Sequence, residues 1–223
     1  MTAASPAPDD APRVTGHSRR KARTRAALLR AGQELLIEGR SEVSIEEITG
    51  RAQVGFGSFF NHFPGGKDEL FRESVMTLLD AYSAWIGSAT EDLTDPAEIF
   101  ARSFRLTGRL AMSEPELLAP LLATGTRVLA VRRGLRERAL DDISRGVSEG
   151  RFIQQDPEVL LMTVGGVLLG LVQLVSDPDS KAEEAVIDQV TASSLRLLGL
   201  TAEEAEEIVT HPLPDLAALE QWS

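Results

Sequence analysis

An all-α chain is predicted, a small basic helical module followed by a larger acidic helical bundle. Three observations lead there. Apolar residues recur at helical spacing through nearly the whole chain, no stretch alternates at period two long enough for a sheet, and the charge divides unevenly along the 223 residues. No internal repeat is present.

Residues 1–16 are rich in Ala and Pro, lack the apolar stretch of a signal peptide and read as a disordered tail. Ser18 is placed to cap a first helix over residues 18–38, with Leu28, Leu29, Ala31, Leu35 and Leu36 on its apolar side and Gly39 at its end. Ser44-Ile45-Glu46-Glu47 is a capping box, Ser44 covering the Glu47 N–H and Glu47 reaching back, so a second short helix runs to about residue 52. Gly55 suits the next N-cap, and a third short helix over residues 56–62 stops at Pro64, Gly65 and Gly66. A fourth begins near Lys67 and carries Phe71, Val75, Leu78, Tyr82 and Trp85 as one stripe. The second and third helices with their short joint have the helix-turn-helix layout.

Asp95-Pro96-Ala97-Glu98 opens the next helix, an N-cap followed by proline, with Ile99, Phe100 and Phe104 inward. Ser113 and Pro115 start another. Residues 126–149 read as one long amphipathic helix on Val128, Leu135, Ala139, Ile143 and Val147, ended by Gly150. Asp156-Pro157-Glu158 then opens a run of 17 residues that is apolar all round. Its three glycines, Thr163, Gln173 and acidic flanks favour a buried helix over a membrane span. Helices over 182–199 and 201–209 follow, the last opened by the capping box of Thr201 and Glu204.

The net charge of −11 and pI near 4.8 argue, taken alone, against a nucleic-acid binder. The distribution reverses that argument. Residues 13–72 hold eleven basic and seven acidic side chains, residues 73–223 twelve and twenty-five, and between Arg13 and Gln33 stand seven positive charges and no negative one. Fields fade beyond about 10 Å in physiological salt, so a polyanion meets the local balance rather than the average. The absence of cysteine excludes disulfides, thiolate metal sites and cysteine nucleophiles, and agrees with a reducing, cytoplasmic setting.

Ile48, Ala52, Val54, Gly57, Ser58, Phe59, Phe60, His62, Phe63, Lys67 and Leu70 meet, in order, the pattern I-A-x-x-A-G-V-S-x-G-[ST]-[LF]-[YF]-x-[HY]-F followed by K-x-x-L. On these residues the chain from 20 to 72 resembles the TetR/AcrR family of bacterial regulators, whose pattern this is. The resemblance implies a three-helix DNA-binding domain over 17–65 and a helical effector-binding and dimerisation domain over 66–223. It implies a repressor that holds a palindromic double-stranded operator as a homodimer and is released by a small apolar or amphipathic ligand. Small residues let the third helix approach the major-groove floor, which suits Gly55 and Gly57. Ser58, Asn61 and His62 are its hydrogen-bonding side chains, Phe56 is placed for a thymine methyl, and Lys67 for a phosphate. Ser44 completes the set on the second helix, and an arm with Arg19, Arg20 and Lys21 is expected in the adjacent minor groove. Phe59 and Phe63 read as core.

Three positions depart from the pattern. Phe60 stands where the family has tyrosine, which removes a hydroxyl and leaves the position to packing. Gln53 replaces the usual turn glycine, and the linker over 64–67 is one residue longer.

In the acidic half, Tyr82, Trp85, Phe100, Phe104, Met112, Met162 and Gln173 are the candidate lining of an apolar effector cavity, with Arg105 either meeting an acidic ligand or pairing with carboxylates. For the dimer seam the candidates are Gly166 and Gly170, which share a face with Thr163 and Gln173, together with Val190, Ser194 and Leu198. Leu161, Val164, Leu168, Leu171 and Val175 form the opposite face, and the sequence leaves open which of the two is the seam. No enzyme is expected: Gly55-Phe56-Gly57 lacks the third glycine of a dinucleotide fingerprint, no phosphate-loop motif occurs, and His17, His62 and His211 are too scattered for a metal set. No catalytic residue, cofactor, metal or membrane partner is therefore expected. The competing reading is a non-enzymatic helical ligand-binding or scaffold protein whose basic first helix contacts an anionic membrane or a protein.

Overall fold

The structure is a computed structural model that describes residues 16–130 and 134–214, and among these residues it is all-helical. Of the expected tail, residues 1–15 lie outside the described residues, while Gly16 already belongs to the first helix. The order is α1 (Gly16–Ile37), α2 (Ile45–Arg51), α3 (Phe56–Phe60), α4 (Lys67–Ala89), α5 (Pro96–Ser113), α6 (Pro115–Thr124), a 3₁₀ turn (Gly125–Ala130), α7 (Leu135–Ser148), α8 (Pro157–Ser176), α9 (Glu184–Leu197) and α10 (Ala202–Ile208).

Local chemistry places most of the starts. The side chains of Ser44, Asp95, Asp156 and Thr201 accept from the N–H groups of Glu47, Ala97, Glu158 and Glu204, each within 3.2 Å. Three details differ from expectation. Ser18 lies inside α1 rather than at its cap. Glu47 pairs with Arg40 instead of reaching back, so the capping box at α2 is half formed. The single helix expected over 126–149 is broken, because Gly134 takes φ +54°, which a right-handed helix cannot contain, and only α7 remains beyond it.

The N-terminal core consists of Leu28, Leu35, Ile48, Phe59 and Phe63, completed by Leu70 and Phe71 from the first turns of α4. Packing is therefore continuous across the expected domain boundary at 65/66. α1 and α4 touch closely: the Ser74 hydroxyl donates to the Leu29 carbonyl at 3.2 Å, and a Cβ at Gly32 would sit 2.5 Å from that hydroxyl.

In the C-terminal bundle α5 and α8 lie at the centre, with α7, α9 and α10 around them. Leu161, Val164, Leu171 and Val175 turn inward from α8, whereas Thr163, Gly166, Gly170 and Gln173 face outward. That helix is long and apolar enough to cross a membrane by length and composition, and its inward face is spent on this bundle. Leucines such as Leu106, Leu195 and Leu198, with no exposed surface, each contribute about 1.5–3 kcal/mol, whereas an exposed ion pair contributes up to about 1 kcal/mol. Packing, not surface charge, holds the bundle.

Candidate nucleic-acid interface and effector cavity

The joint between α2 and α3 turns on Gln53, whose φ of +55° is the only left-handed one among described non-glycine residues. Its N–H donates to the Gly50 carbonyl and that of Val54 to Thr49, which closes the turn. The four phenylalanines that follow divide by helical phase. Phe59 and Phe63 are fully buried, while Phe56 and Phe60 are 48% and 46% exposed. Phe60 thus does not merely pack, as expected from the lost hydroxyl, because its position one turn after Phe56 puts it on the outward face. Gly55, Gly57 and Asn61 are also exposed, with Ser58 and His62 half-buried. A Cβ at Gly57 would meet nothing within 4 Å, so the room this glycine leaves open faces outward.

The cations sort into two groups. Arg51 holds Glu38 with two nitrogens at 2.6 and 3.0 Å, Arg40 holds Glu38 and Glu47, and Lys67 reaches Glu42 at 3.0 Å. Glu42 is 91% exposed, so the Lys67 pair is open to exchange with another anion. Arg19, Arg20, Lys21 and Arg23, by contrast, project into solvent from the first turns of α1. The expected minor-groove arm is replaced here by helix. An α-helix about 10 Å across does not enter a minor groove about 6 Å wide, so the helical form of this segment does not suit the expected contact. Ser44 is exposed, but its side chain is engaged as the α2 cap.

His62, just past the end of α3, lies within the field of two cations of α1. Burial first, then the charges of Lys21 and Arg25, hold its imidazole below the ordinary value of 6.5. Its Nδ1 is buried without a hydrogen-bond partner. Arg25, absent from the residues expected at the interface, lies one turn after Lys21, over the Phe63 ring at 5.0 Å and 3.6 Å from Glu73. The i, i+4 spacing of the two cations is the signal that points to it.

A cavity of about 140 Å³ opens between α4, α5, α7 and α8. Of the expected lining it takes Tyr82, Phe100 and Phe104, and adds Phe152, Leu161 and Val164 as apolar wall. Trp85 stacks on Tyr82 with ring centroids 5.8 Å apart and packs, like Met112, against the core behind the wall. Met162 and Gln173 point to solvent on the other side of α8. Arg105 is buried outside the cavity, donating to Asp188 and to the His211 carbonyl at 2.7 Å each, so it is consumed by its own pairing. The residues that bring polar groups to the cavity are Asp80 and Tyr82 on α4, Ser103 and Thr107 on α5, and Arg136, Arg138 and Asp142 on α7. Burial holds the Asp142 carboxyl above the ordinary carboxylate value, against the pull of Arg138 and Arg145. Apolar periodicity marks only the buried face of α7, and these polar residues flank that face.

The outward side of α8 carries Val159, Met162, Gly166, Gly170 and Leu174, and Val159, Met162 and Leu174 are each 46–47% exposed. On α9 the exposed large apolar residue is Leu197. Ser194 and Leu198, expected at the seam, have no exposed surface, and Val190 is half-buried against the core. The phase of α9 is set by Ile187, Thr191 and Leu195, which turn inward and take Ser194 and Leu198 with them.

Comparison with known proteins agrees with the all-helical fold. The family described as "Tetracyclin repressor-like, C-terminal domain" matches residues 95–211. The HTH-type transcriptional regulator LmrA of Bacillus subtilis is 29% identical over 169 residues, covering 70% of this chain and 90% of that protein. The crystal structure of RolR in complex with resorcinol is similar at a TM-score of 0.73 and 29% identity, covering 89% of this chain and 99% of that one. A regulator of Mesorhizobium loti shares the fold at a TM-score of 0.57 and 21% identity, over 80% of this chain and 96% of its own.

Proposed function

The chain belongs to the TetR family of transcriptional regulators, and we propose that it acts in the cytoplasm as a homodimeric repressor, released from a palindromic operator by a hydroxylated single-ring aromatic ligand. The observation that carries this reading is that α4 belongs to both halves. Its first turns close the core that positions α3, and Tyr82 further along it walls the cavity. A ligand that favours one placement of α4 changes the spacing of two reading heads by its differential affinity alone.

Size and chemistry support the ligand class. A cavity of about 150 Å³ lined by apolar side chains holds one benzene-sized ring, and the volume here is about 140 Å³. Ser103, Thr107, Arg138 and Asp142 are placed at its edge to receive ring hydroxyls. RolR, whose structure holds resorcinol, is the relevant relative in this respect.

For DNA, α3 of each protomer enters the major groove, with Ser58, Asn61 and His62 toward base edges or phosphates and Arg19, Arg20, Lys21 and Lys67 on the backbone. One helix reads only a few base pairs, so a two-fold dimer is required for an address in a genome. The outward stripe of α8 with Leu197 supplies the seam, and Gly166 and Gly170 give it a flat centre for close approach.

The test is selection of duplexes from a random pool by the full chain, followed by titration of the selected duplex complex with resorcinol. A palindrome bound by two protomers and released by resorcinol is the expected outcome. Absence of any preferred duplex contradicts the regulator reading, and a palindrome that resorcinol leaves bound contradicts the ligand class.

A further inference from the structure

Two large aromatic rings stand in water on the outward face of α3, which is unusual for a helix of five residues that contributes Phe59 to the core from its other side. Phe56 and Phe60 lie one helical turn apart with ring centroids 6.0 Å apart at 72°, so they form one apolar ridge rather than two isolated side chains. Phe60 is braced from behind by the buried Phe59, 5.4 Å away edge to face. The ridge is held in place rather than free to fold back. Around it are the exposed Gly55, Gly57 and Asn61, none of which covers it. At the C-terminal end of the helix are His62 and the two cations that act on it, Lys21 and Arg25.

An apolar ridge edged by positive charge has a partner of matching chemistry in the major groove. Among the base edges there, only thymine presents an apolar group, its 5-methyl, while the phosphates on either side present negative charge. We infer that Phe56 and Phe60 are specificity-determining residues that read thymine 5-methyl groups, so that each operator half-site carries two thymines within two base steps of each other. The 6.0 Å between ring centroids falls between one base step of about 3.4 Å and two of about 6.8 Å. This inference rests on the regulator reading and adds to it the chemical basis of sequence choice. It also gives the departure at Phe60 a role: a ring without a hydroxyl meets a methyl, where a tyrosine would turn a hydroxyl to a phosphate.

The experiment uses the full chain and the duplex it selects from a random pool. Each thymine of one half-site is replaced in turn by deoxyuridine, which removes the methyl and leaves base pairing intact. Two positions per half-site are expected to lose about fourfold in affinity for each methyl removed, the effect of burying one such group. In Phe56→Ala, whose retained helicity is checked by circular dichroism, the loss at one of those positions should vanish, and in Phe60→Ala the loss at the other. A selected operator without thymines so placed, or deoxyuridine substitution that is neutral everywhere, overturns the inference while leaving the regulator reading intact. No preferred duplex at all overturns both.

Discussion

Tyr82 on α4 and Thr107 on α5 share a buried hydrogen bond at the wall of the cavity. The direction of that bond follows from the next one. Thr107 gives its own hydroxyl proton to the Ser103 carbonyl at 2.7 Å, so Tyr82 is the donor to Thr107. Burial holds the Tyr82 hydroxyl well above its ordinary pKa, and it remains a neutral donor at any physiological pH. The helix that joins the reading head to the bundle is thereby pinned to the bundle's central helix beside the cavity.

Tyr82→Phe removes the donor and leaves the rest of the ring in place. The loss is expected to be about 1 kcal/mol, or a thermal midpoint about 2–4 °C lower. An unchanged midpoint in calorimetry would show that the bond does not pin α4.

Gln53→Gly should raise stability. A non-glycine residue in the left-handed region costs about 1–2 kcal/mol, partly offset by the greater freedom glycine gains in the unfolded chain, so a net rise of about 0.5–1 kcal/mol is expected. Gln53→Val, branched at Cβ, should lower the midpoint. Denaturant midpoints at constant slope measure both.

His62 should produce two pH effects of opposite sign. Its folded pKa lies below the unfolded value of 6.5, so its contribution to stability is present above pH 6.5 and is lost as pH falls from there toward the folded value. Thermal midpoints of wild type and His62→Gln should therefore diverge below pH 6.5, wild type losing more. A phosphate beside the ring favours the charged form, so operator affinity should instead rise as pH falls from about 7.5 to about 6.5. Parallel pH profiles for the two proteins in both measurements would show that His62 is a bystander.

Gly170→Arg tests the seam. A Cβ there would meet nothing within 4 Å in its own protomer and the position is exposed, so the fold should persist by circular dichroism. In sedimentation the particle should fall to the protomer mass of 24.1 kDa. A variant that remains a dimer would move the seam away from α8.

What the sequence discloses depends on the range of the interaction responsible. The caps at Ser44, Asp95, Asp156 and Thr201 act over two or three residues, and each is legible from neighbouring letters. The helix-turn-helix is legible for the same reason, its pattern running within about fifty residues. Which way a helix turns is decided by distant partners. Ser194 and Leu198 look as suitable for a seam as Leu197, and only the packing of Ile187, Thr191 and Leu195 on the bundle sends them inward. Arg105 looks available to a ligand until Asp188, far along the chain, is placed beside it. Gly134 is hidden because the apolar period continues on both of its sides, although its left-handed backbone ends any helix there. The charge of −11 likewise averages over a distinction that matters in space, since the exposed cations gather on α1 beside the reading helix.

The salt dependence of operator binding decides whether the basic start of α1 meets DNA, read as fluorescence anisotropy of the selected duplex with the full chain and with Arg19, Arg20 and Lys21 all replaced by alanine. Logarithmic affinity should fall linearly with logarithmic salt, and the triple variant should show a visibly shallower slope, by about one unit for each phosphate that is no longer neutralised. Binding that is indifferent to salt, or a protein that prefers anionic vesicles to every duplex offered, would contradict operator recognition by this chain.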